Sequence, residues 1–108
     1  MTISQTIAEK NDQFRKSLVG GRFLFTRSAF SNGNVEKIVG AVKNYKEFDK
    51  NNDPYFEHDM GFFTVDGKEY LWKIDYYENK KCEYGFHFEE GKPDLAFRAL
   101  TIMFADEY

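Results

Sequence analysis

The sequence predicts an α+β domain in which an antiparallel sheet of four to five strands carries two helices packed on one face. Three observations lead to this fold class. Stretches with helical periodicity lie in the first half of the chain, strand-like segments dominate the second half, and Asp66-Gly67 marks a tight hairpin. At 108 residues, with no linker-like stretch or internal repeat, the chain is expected to form a single domain over residues 1–108.

The first helix is predicted over residues 4–18. Thr2 and Gln5 have the spacing of a capping box, in which each side chain bonds the backbone N–H of the other residue. Apolar residues then recur with helical spacing until the Gly20-Gly21 pair, which is typical of a helix end. Residues 22–27 are rich in phenylalanine and leucine, so we expect a first strand there.

A second helix is predicted over residues 35–48. Asn34 is a favourable N-cap, and the apolar residues that follow it fall on one helical face. Residues 31–34 have the composition of a turn, and residues 49–59 form the longest polar segment, which we expect to run over the surface as a loop.

The remaining segments predict strands. Residues 62–65 and 68–77 flank Asp66-Gly67, a dipeptide that tolerates positive φ at both central positions of a type I′ turn. Residues 82–88 alternate between apolar and polar types and predict a third antiparallel strand. Residues 97–105 are apolar and rich in strand formers, so they predict a further strand.

Alternation in the long hairpin strand predicts which side chains face the helices. One face carries Tyr70, Trp72, Ile74 and Tyr76, and the other carries Leu71, Lys73, Asp75 and Tyr77. The first set is expected under the helices, which leaves an open face of mixed polar and aromatic character. The residues expected in the core are Phe14, Val39, Trp72, Ile74 and Leu100.

Charge and cysteine content narrow the function classes. The formal net charge of −3 disfavours direct nucleic-acid binding, which needs a concentrated basic patch. Acidic and basic residues are interleaved, so mimicry of nucleic-acid phosphates is not favoured either. Cys82 is the single cysteine, which excludes an internal disulfide and fits a reducing compartment. No membrane span and no secretory signal are found, so we expect a cytoplasmic protein.

The Glu57-His58-Asp59 triplet carries residue types that bind metals, but adjacent side chains diverge in an extended segment. A structural role is therefore the preferred interpretation. We expect Asp53-Pro54 to form a fixed turn and His58 or Asp59 to hydrogen-bond back into the domain. No catalytic residue, metal or cofactor is predicted, since no arrangement typical of nucleophilic catalysis is present.

Aromatic residues make up 19% of the chain, more ring surface than a small core readily absorbs. Exposed rings beside charges suit protein–protein contact. The residues expected to contact a partner are Asp53, Glu57, His58, Asp59, Lys73, Asp75, Tyr77 and Glu83. Lys73 and Asp75 share one face of their strand and can form a salt bridge.

Several motifs together resemble a family of small uncharacterised proteins, which form a domain of unknown function found in proteobacteria and on plasmids and phages. The motifs are Asn52-Asp53-Pro54, Glu57-His58-Asp59, residues 72–77 (WKIDYY), Glu83-Tyr84-Gly85, residues 100–103 (LTIM) and Glu107-Tyr108, with Asn11-Asp12 and Phe14-Arg15 in the first helix. The chain departs from the family pattern at residues 86–95. No activity or catalytic residue is assigned to the family.

The resemblance implies that the protein is encoded on a mobile genetic element. Small stand-alone proteins of such elements often inhibit host defence. We therefore expect a stoichiometric inhibitor with anti-CRISPR or anti-restriction activity, a monomer or homodimer that binds a protein or nucleoprotein complex of host defence. The alternative is a small metal-dependent hydrolase or nucleotide-modifying enzyme. Its site would combine His58, Asp59, Asp75 and His87 around a metal ion.

Overall fold

The computed structural model describes residues 2–82, 84–86 and 96–108. The helices are α1 (Ile3–Ser17), α2 (Arg27–Asn32) and α3 (Val35–Lys43), and the strands are β1 (Gly21–Phe25), β2 (Met60–Val65), β3 (Lys68–Tyr77) and β4 (Phe97–Phe104), followed by a 3-10 turn, Ala105–Glu107. The strands form one sheet of order β1-β4-β3-β2. This is the predicted α+β class.

The sheet is mixed, whereas the sequence analysis predicted an antiparallel one. Strand β4 lies between β1 and β3, parallel to the first and antiparallel to the second. Strand β2 pairs with β3 in the predicted hairpin. The direction of β1 was not predictable, because alternation of side chains shows which face a residue occupies and carries no information about the neighbouring strand.

Helix α1 begins with the predicted capping box. The Thr2 hydroxyl accepts a hydrogen bond from the Gln5 backbone N–H at 3.1 Å, and the Gln5 side chain accepts one from the Thr2 N–H at 2.7 Å. The helix ends where Leu18 adopts a left-handed conformation with φ 60°. Its observed bounds therefore differ from the predicted ones by one residue at each end.

The region between β1 and β2 differs from the prediction in two places. Residues 27–32, part of which was expected to form a turn, form the short helix α2, whose N-cap is Thr26. Helix α3 ends at Lys43, five residues before the predicted end at Phe48. Tyr45 and Phe48 nevertheless pack in the core. The apolar pattern of residues 35–48 therefore marks buried residues both in the helix and in the segment that follows it.

The predicted strand over residues 82–88 lies partly outside the described residues. Within the described part, Gly85 forms an isolated antiparallel bridge with Tyr77. The Phe86 N–H donates to the Tyr76 carbonyl at 3.0 Å, and the Glu78 N–H donates to the Tyr84 carbonyl at 2.9 Å. A fifth strand is not formed by the described residues, while the prediction for residues 97–105 is confirmed by β4.

The core lies between the three helices and one face of the sheet. Its buried members include Phe14 of α1, Ala29 of α2 and Ile38 of α3, which pack with Trp72, Ile74, Leu100 and Ile102 of β3 and β4. The predicted register of β3 is confirmed, because Trp72 has no exposed surface while Lys73 and Asp75 lie on the opposite face. Val39 is half-buried, contrary to the prediction, because it lies beside the buried stripe of α3. Among the described residues, no helix has the length and apolar character needed to cross a membrane.

Candidate functional site

The loop over residues 49–59 is held by its own hydrogen bonds. Asp53 is 2% exposed, and its Oδ1 accepts hydrogen bonds from the backbone N–H groups of Glu57 at 2.9 Å and His58 at 3.1 Å. The Asp53 carbonyl also accepts from the Phe56 N–H at 3.1 Å, which closes the turn expected at Asp53-Pro54. Phe56 and His58 have φ values of 57° and 55°, a conformation that non-glycine residues keep only when their surroundings hold it.

His58 joins this loop to helix α1. Its Nδ1 lies 3.0 and 3.1 Å from the two carboxylate oxygens of Asp12, and its Nε2 lies 3.6 Å from Oδ2 of Asp53. The imidazole also stacks on the Phe48 ring, with 4.0 Å between ring centroids and 5° between the planes. The structure therefore contains the predicted hydrogen bond from the loop into the domain, made by the His58 side chain.

Arg15 extends this connection to the end of α3. The side chain is buried, and its Nε donates to the Val42 carbonyl at 3.0 Å while Nη2 donates to the Tyr45 carbonyl at 2.9 Å. Its Nη1 donates to Asp12 at 2.8 Å, so one carboxylate bridges Arg15 and His58. Buried charges are tolerated when they are paired and hydrogen-bonded, and this arrangement meets both conditions.

A second polar cluster is centred on Asn11, one helical turn before Arg15 on the same buried stripe of α1. The side-chain amide of Asn11 donates to the Tyr76 hydroxyl at 2.8 Å and to the Glu57 carbonyl at 2.9 Å, and its oxygen accepts from Nε of buried Arg98 at 2.5 Å. The Tyr76 hydroxyl donates to Asp59 at 3.5 Å. Together with His58, these contacts attach the loop to α1 and the sheet along its whole second half.

Burial shifts the pKa values of this second cluster in one direction. Loss of water raises the pKa of Asp59, with smaller contributions from the charges of Asp53 and Asp75. It also raises the pKa of Glu57, helped by Asp59 and Asp53, and the pKa of the Tyr76 phenol. The Glu57 and Asp59 carboxyl groups thus lie in surroundings that disfavour their charged form.

The sheet face opposite the helices carries the remaining predicted residues. Lys73 Nζ lies 2.8 Å from Asp75 Oδ2, as expected for neighbours on one strand face. This hydrogen bond raises the pKa of Lys73. By register, Leu24 and Phe62 belong to the same face, and they are 41% and 48% exposed. This surface therefore carries charged side chains together with exposed apolar ones.

The residues predicted to form one contact surface lie in two regions. Asp53, His58 and Asp59 interact with α1 on the helical side, Glu57 follows the same loop, and Lys73, Asp75 and Tyr77 share the opposite face of β3. Glu83 and His87 lie outside the described residues. For the part of the chain that the structure describes, no group of three or more His, Cys, Asp or Glu side chains is placed to hold a metal ion.

Sequence reasoning did not give Asn11, Asp12 and Arg15 a role in the site. The spacing could have indicated two of these residues. Ile7, Asn11 and Arg15 are four residues apart and are buried on one stripe of α1. A polar residue within an apolar stripe indicates a partner across the interface. The sequence does not show that the partners are carbonyl groups of α3 and of the loop.

A family model described as "Protein of unknown function (DUF3768)" matches residues 25–107. The matched range contains the loop, the hairpin and β4, and it begins after α1, which supplies Asn11, Asp12 and Arg15. No curated protein and no solved structure is similar enough to this chain to count as a match. The chain therefore belongs to the DUF3768 family, a family of proteins of unknown function.

Proposed function

We propose that this protein acts by stoichiometric binding and occludes a partner protein with the sheet face opposite the helices. We call this surface the open face, and define it by Leu24, Phe62, Lys73, Asp75 and Tyr77. The observation that carries the proposal is the one-sided packing of the sheet. Helices α1, α2 and α3 all contribute to the core on one face. On the other face Leu24 and Phe62 are 41% and 48% exposed, while Leu71 in its middle is buried.

The side chains of the open face suit recognition of a protein surface. Leu24 and Phe62 are large, exposed and apolar, and such residues supply contact area when they are desolvated. The Lys73–Asp75 pair adds two opposite charges at a fixed distance, and charges in a contact surface determine register and association rate more than affinity. The strands hold all of these groups in place, so little order is lost on binding.

The loop is assigned a supporting role in this proposal. The Asp53 side chain is buried and His58 is engaged with Asp12, so neither side chain is free to reach a partner. Glu57 and Asp59 are half-buried and belong to the rim of the fold near β3. The loop fixes the end of β2 beside β3 through the 2.8 Å hydrogen bond from the Ile74 N–H to the Asp59 carbonyl.

For the partner, we propose a protein or nucleoprotein complex of host defence, which makes the activity anti-CRISPR or anti-restriction. The support is the resemblance of the sequence to small proteins of plasmids and phages. The net charge of −3 is small, so the complex is expected to weaken only moderately with salt. A mimic of nucleic-acid phosphates would instead lose affinity steeply as salt rises.

The test is a titration of a purified defence nuclease, a CRISPR effector or a restriction endonuclease, with increasing amounts of this protein. Wild type is expected to reach full inhibition near one equivalent per target site, and the variant Tyr77→Ala with Asp75→Lys to lose inhibition. The matched control is Tyr55→Ala with Glu36→Lys, which changes an exposed ring and an exposed acid away from the open face. Full inhibition far below one equivalent would mean turnover and would favour the hydrolase alternative.

A further inference from the structure

A cavity lies between α1, the end of α3 and the loop, away from the open face. Its volume is about 800 Å³, and its lining includes Asp12, Arg15, Lys16, Lys43, Lys46 and His58. We propose that this cavity binds a small phosphate-containing ligand with at least two negative charges, either free pyrophosphate or a nucleotide phosphate. The proposal does not depend on the protein-binding function of the open face.

The lining of the cavity is rich in positive charge. Lys16, Lys43 and Lys46 are exposed, and no ion pair joins any of them to a carboxylate among residues 2–82, 84–86 and 96–108. The one carboxylate in the lining, Asp12, is already held by Arg15 and His58. The cavity is therefore strongly positive, although the whole chain has a net charge of −3.

The lysine side chains of the cavity do not cap the end of α3. Basic residues near helix ends commonly bond the last carbonyl groups of the helix. Here the Val42 and Tyr45 carbonyls accept from Arg15, and the Gly40 carbonyl accepts from the backbone and side-chain N–H groups of Asn44. The end of α3 is capped without Lys43 or Lys46, so both amines remain available for a ligand.

The size and the side chains of the cavity fit a small phosphate-containing ligand. Small-molecule sites typically have volumes of about 300–1,000 Å³, a range that includes this cavity. Lysine amines bind phosphate as mobile point charges with three donors each. Arg15 is fixed by three hydrogen bonds and is 1% exposed, so it contributes its positive charge to the lining. Three unpaired amines around one cavity favour a multivalent anion over a single carboxylate, because its several charges can interact with all three at once.

The experiment measures binding of inorganic phosphate, pyrophosphate and ATP to the full chain by isothermal titration calorimetry at low salt. The site variant combines Lys16→Gln, Lys43→Gln and Lys46→Gln. The matched control combines Lys37→Gln, Lys80→Gln and Lys81→Gln, which removes the same charge from exposed positions outside the cavity. Thermal melts of both variants establish that they fold, and all six substituted side chains are exposed.

We expect wild type and the control variant to bind pyrophosphate or ATP with the same affinity. The site variant should bind with an affinity at least about tenfold lower, because three nearby charges are lost. Equal affinity for pyrophosphate and ATP would show that the cavity recognises the phosphate groups alone. Tighter binding of ATP would show that the ligand is a nucleotide. The proposal is overturned if no probe binds wild type up to about 10 mM, or if both triple variants weaken equally. The variant Tyr77→Ala with Asp75→Lys should bind these probes normally, which separates this result from the test of the open face.

Discussion

The indole of Trp72 occupies the space that a side chain on Gly61 would need. The two residues are cross-strand partners in the β2–β3 pair, and a Cβ on Gly61 would lie 2.6 Å from the indole Nε1 and 2.5 Å from Cζ of Tyr45. Both rings are buried and contact each other edge to face with 5.5 Å between centroids. Glycine at this position therefore allows β2 to lie against the largest side chain of the core.

Gly61→Ala should lower the free energy of unfolding by about 1–3 kcal/mol, the usual cost of forcing extra volume into a packed core. The matched control is Gly40→Ala, since a Cβ there meets nothing within 4 Å and Gly40 lies inside α3. That control should gain about 0.5–1 kcal/mol from helix propensity. Urea denaturation of both variants gives the comparison, and a Gly61→Ala protein as stable as wild type would contradict the packing described.

Replacing Arg15 should be among the most damaging single changes. Arg15→Met removes the side-chain donor to the Tyr45 carbonyl and one of the donors to the Val42 carbonyl and to the Asp12 carboxylate, which keep the Tyr45 N–H and His58 respectively. Hydrogen bonds to a charged group are each worth about 1.5–3 kcal/mol. Arg15→Lys should recover only part of this, because one ammonium cannot reproduce the planar fork of donors. The control is Arg22→Met at an exposed site. Equal midpoints of urea unfolding for the two Met variants would show that Arg15 has no structural role.

Asp53 should be needed for the loop to keep its shape. Asp53→Ala removes the acceptor of two backbone N–H groups, and hydrogen bonds to a charged group are each worth about 1.5–3 kcal/mol. We expect a loss of about 2–3 kcal/mol for Ala and a smaller loss for Asn, which keeps a carbonyl acceptor in the same place. Hydrogen exchange of the Glu57 and His58 amides should accelerate in Asp53→Ala, and unchanged protection of both amides would count against this role.

Asp59 should make the protein less stable as pH rises. Burial raises the pKa of Asp59 above its ordinary value of 3.8, so the folded state binds this proton more tightly than the unfolded state. The stability cost is absent below the ordinary pKa, grows as pH rises through the raised folded pKa, and is complete above it. Asp59→Asn should therefore raise the melting temperature at neutral pH and lose this advantage in acid.

The control for this prediction is Asp75→Asn, which changes a partly exposed carboxylate of the open face that pairs with Lys73. It should not raise the melting temperature at neutral pH, since it removes a favourable surface ion pair worth at most about 1 kcal/mol. Melting curves from pH 3 to pH 8 compare the two variants. A lower melting temperature for Asp59→Asn at neutral pH would show that its charge stabilises the fold.

The sequence predicted those parts of the fold that depend on local patterns. Alternation placed Trp72 inside and Lys73 outside, and the Thr2–Gln5 box began α1, because both signals depend on a few adjacent residues. Helix α2 was missed because it has only six residues, too few to show a period. The pairing of β1 with β4 depends on tertiary contacts more than seventy residues apart.

The candidate site was less predictable for the same reason. The expected anchor of the loop was found at His58, but its partner Asp12 is separated from it by 46 residues. The division of the predicted contact residues between two faces follows from the path of the loop toward α1, and no local pattern in residues 49–59 encodes that path.

The position of β4 has a consequence for how the chain reaches this state during synthesis. Strand β4 follows every other strand in sequence and yet lies in the middle of the sheet, between β1 and β3. Until it emerges from the ribosome, β1 has no neighbour and β3 exposes one edge with unpaired backbone groups, a state prone to aggregation. Completion of the sheet must therefore wait for residues 97–104, so this domain completes its fold late in its synthesis.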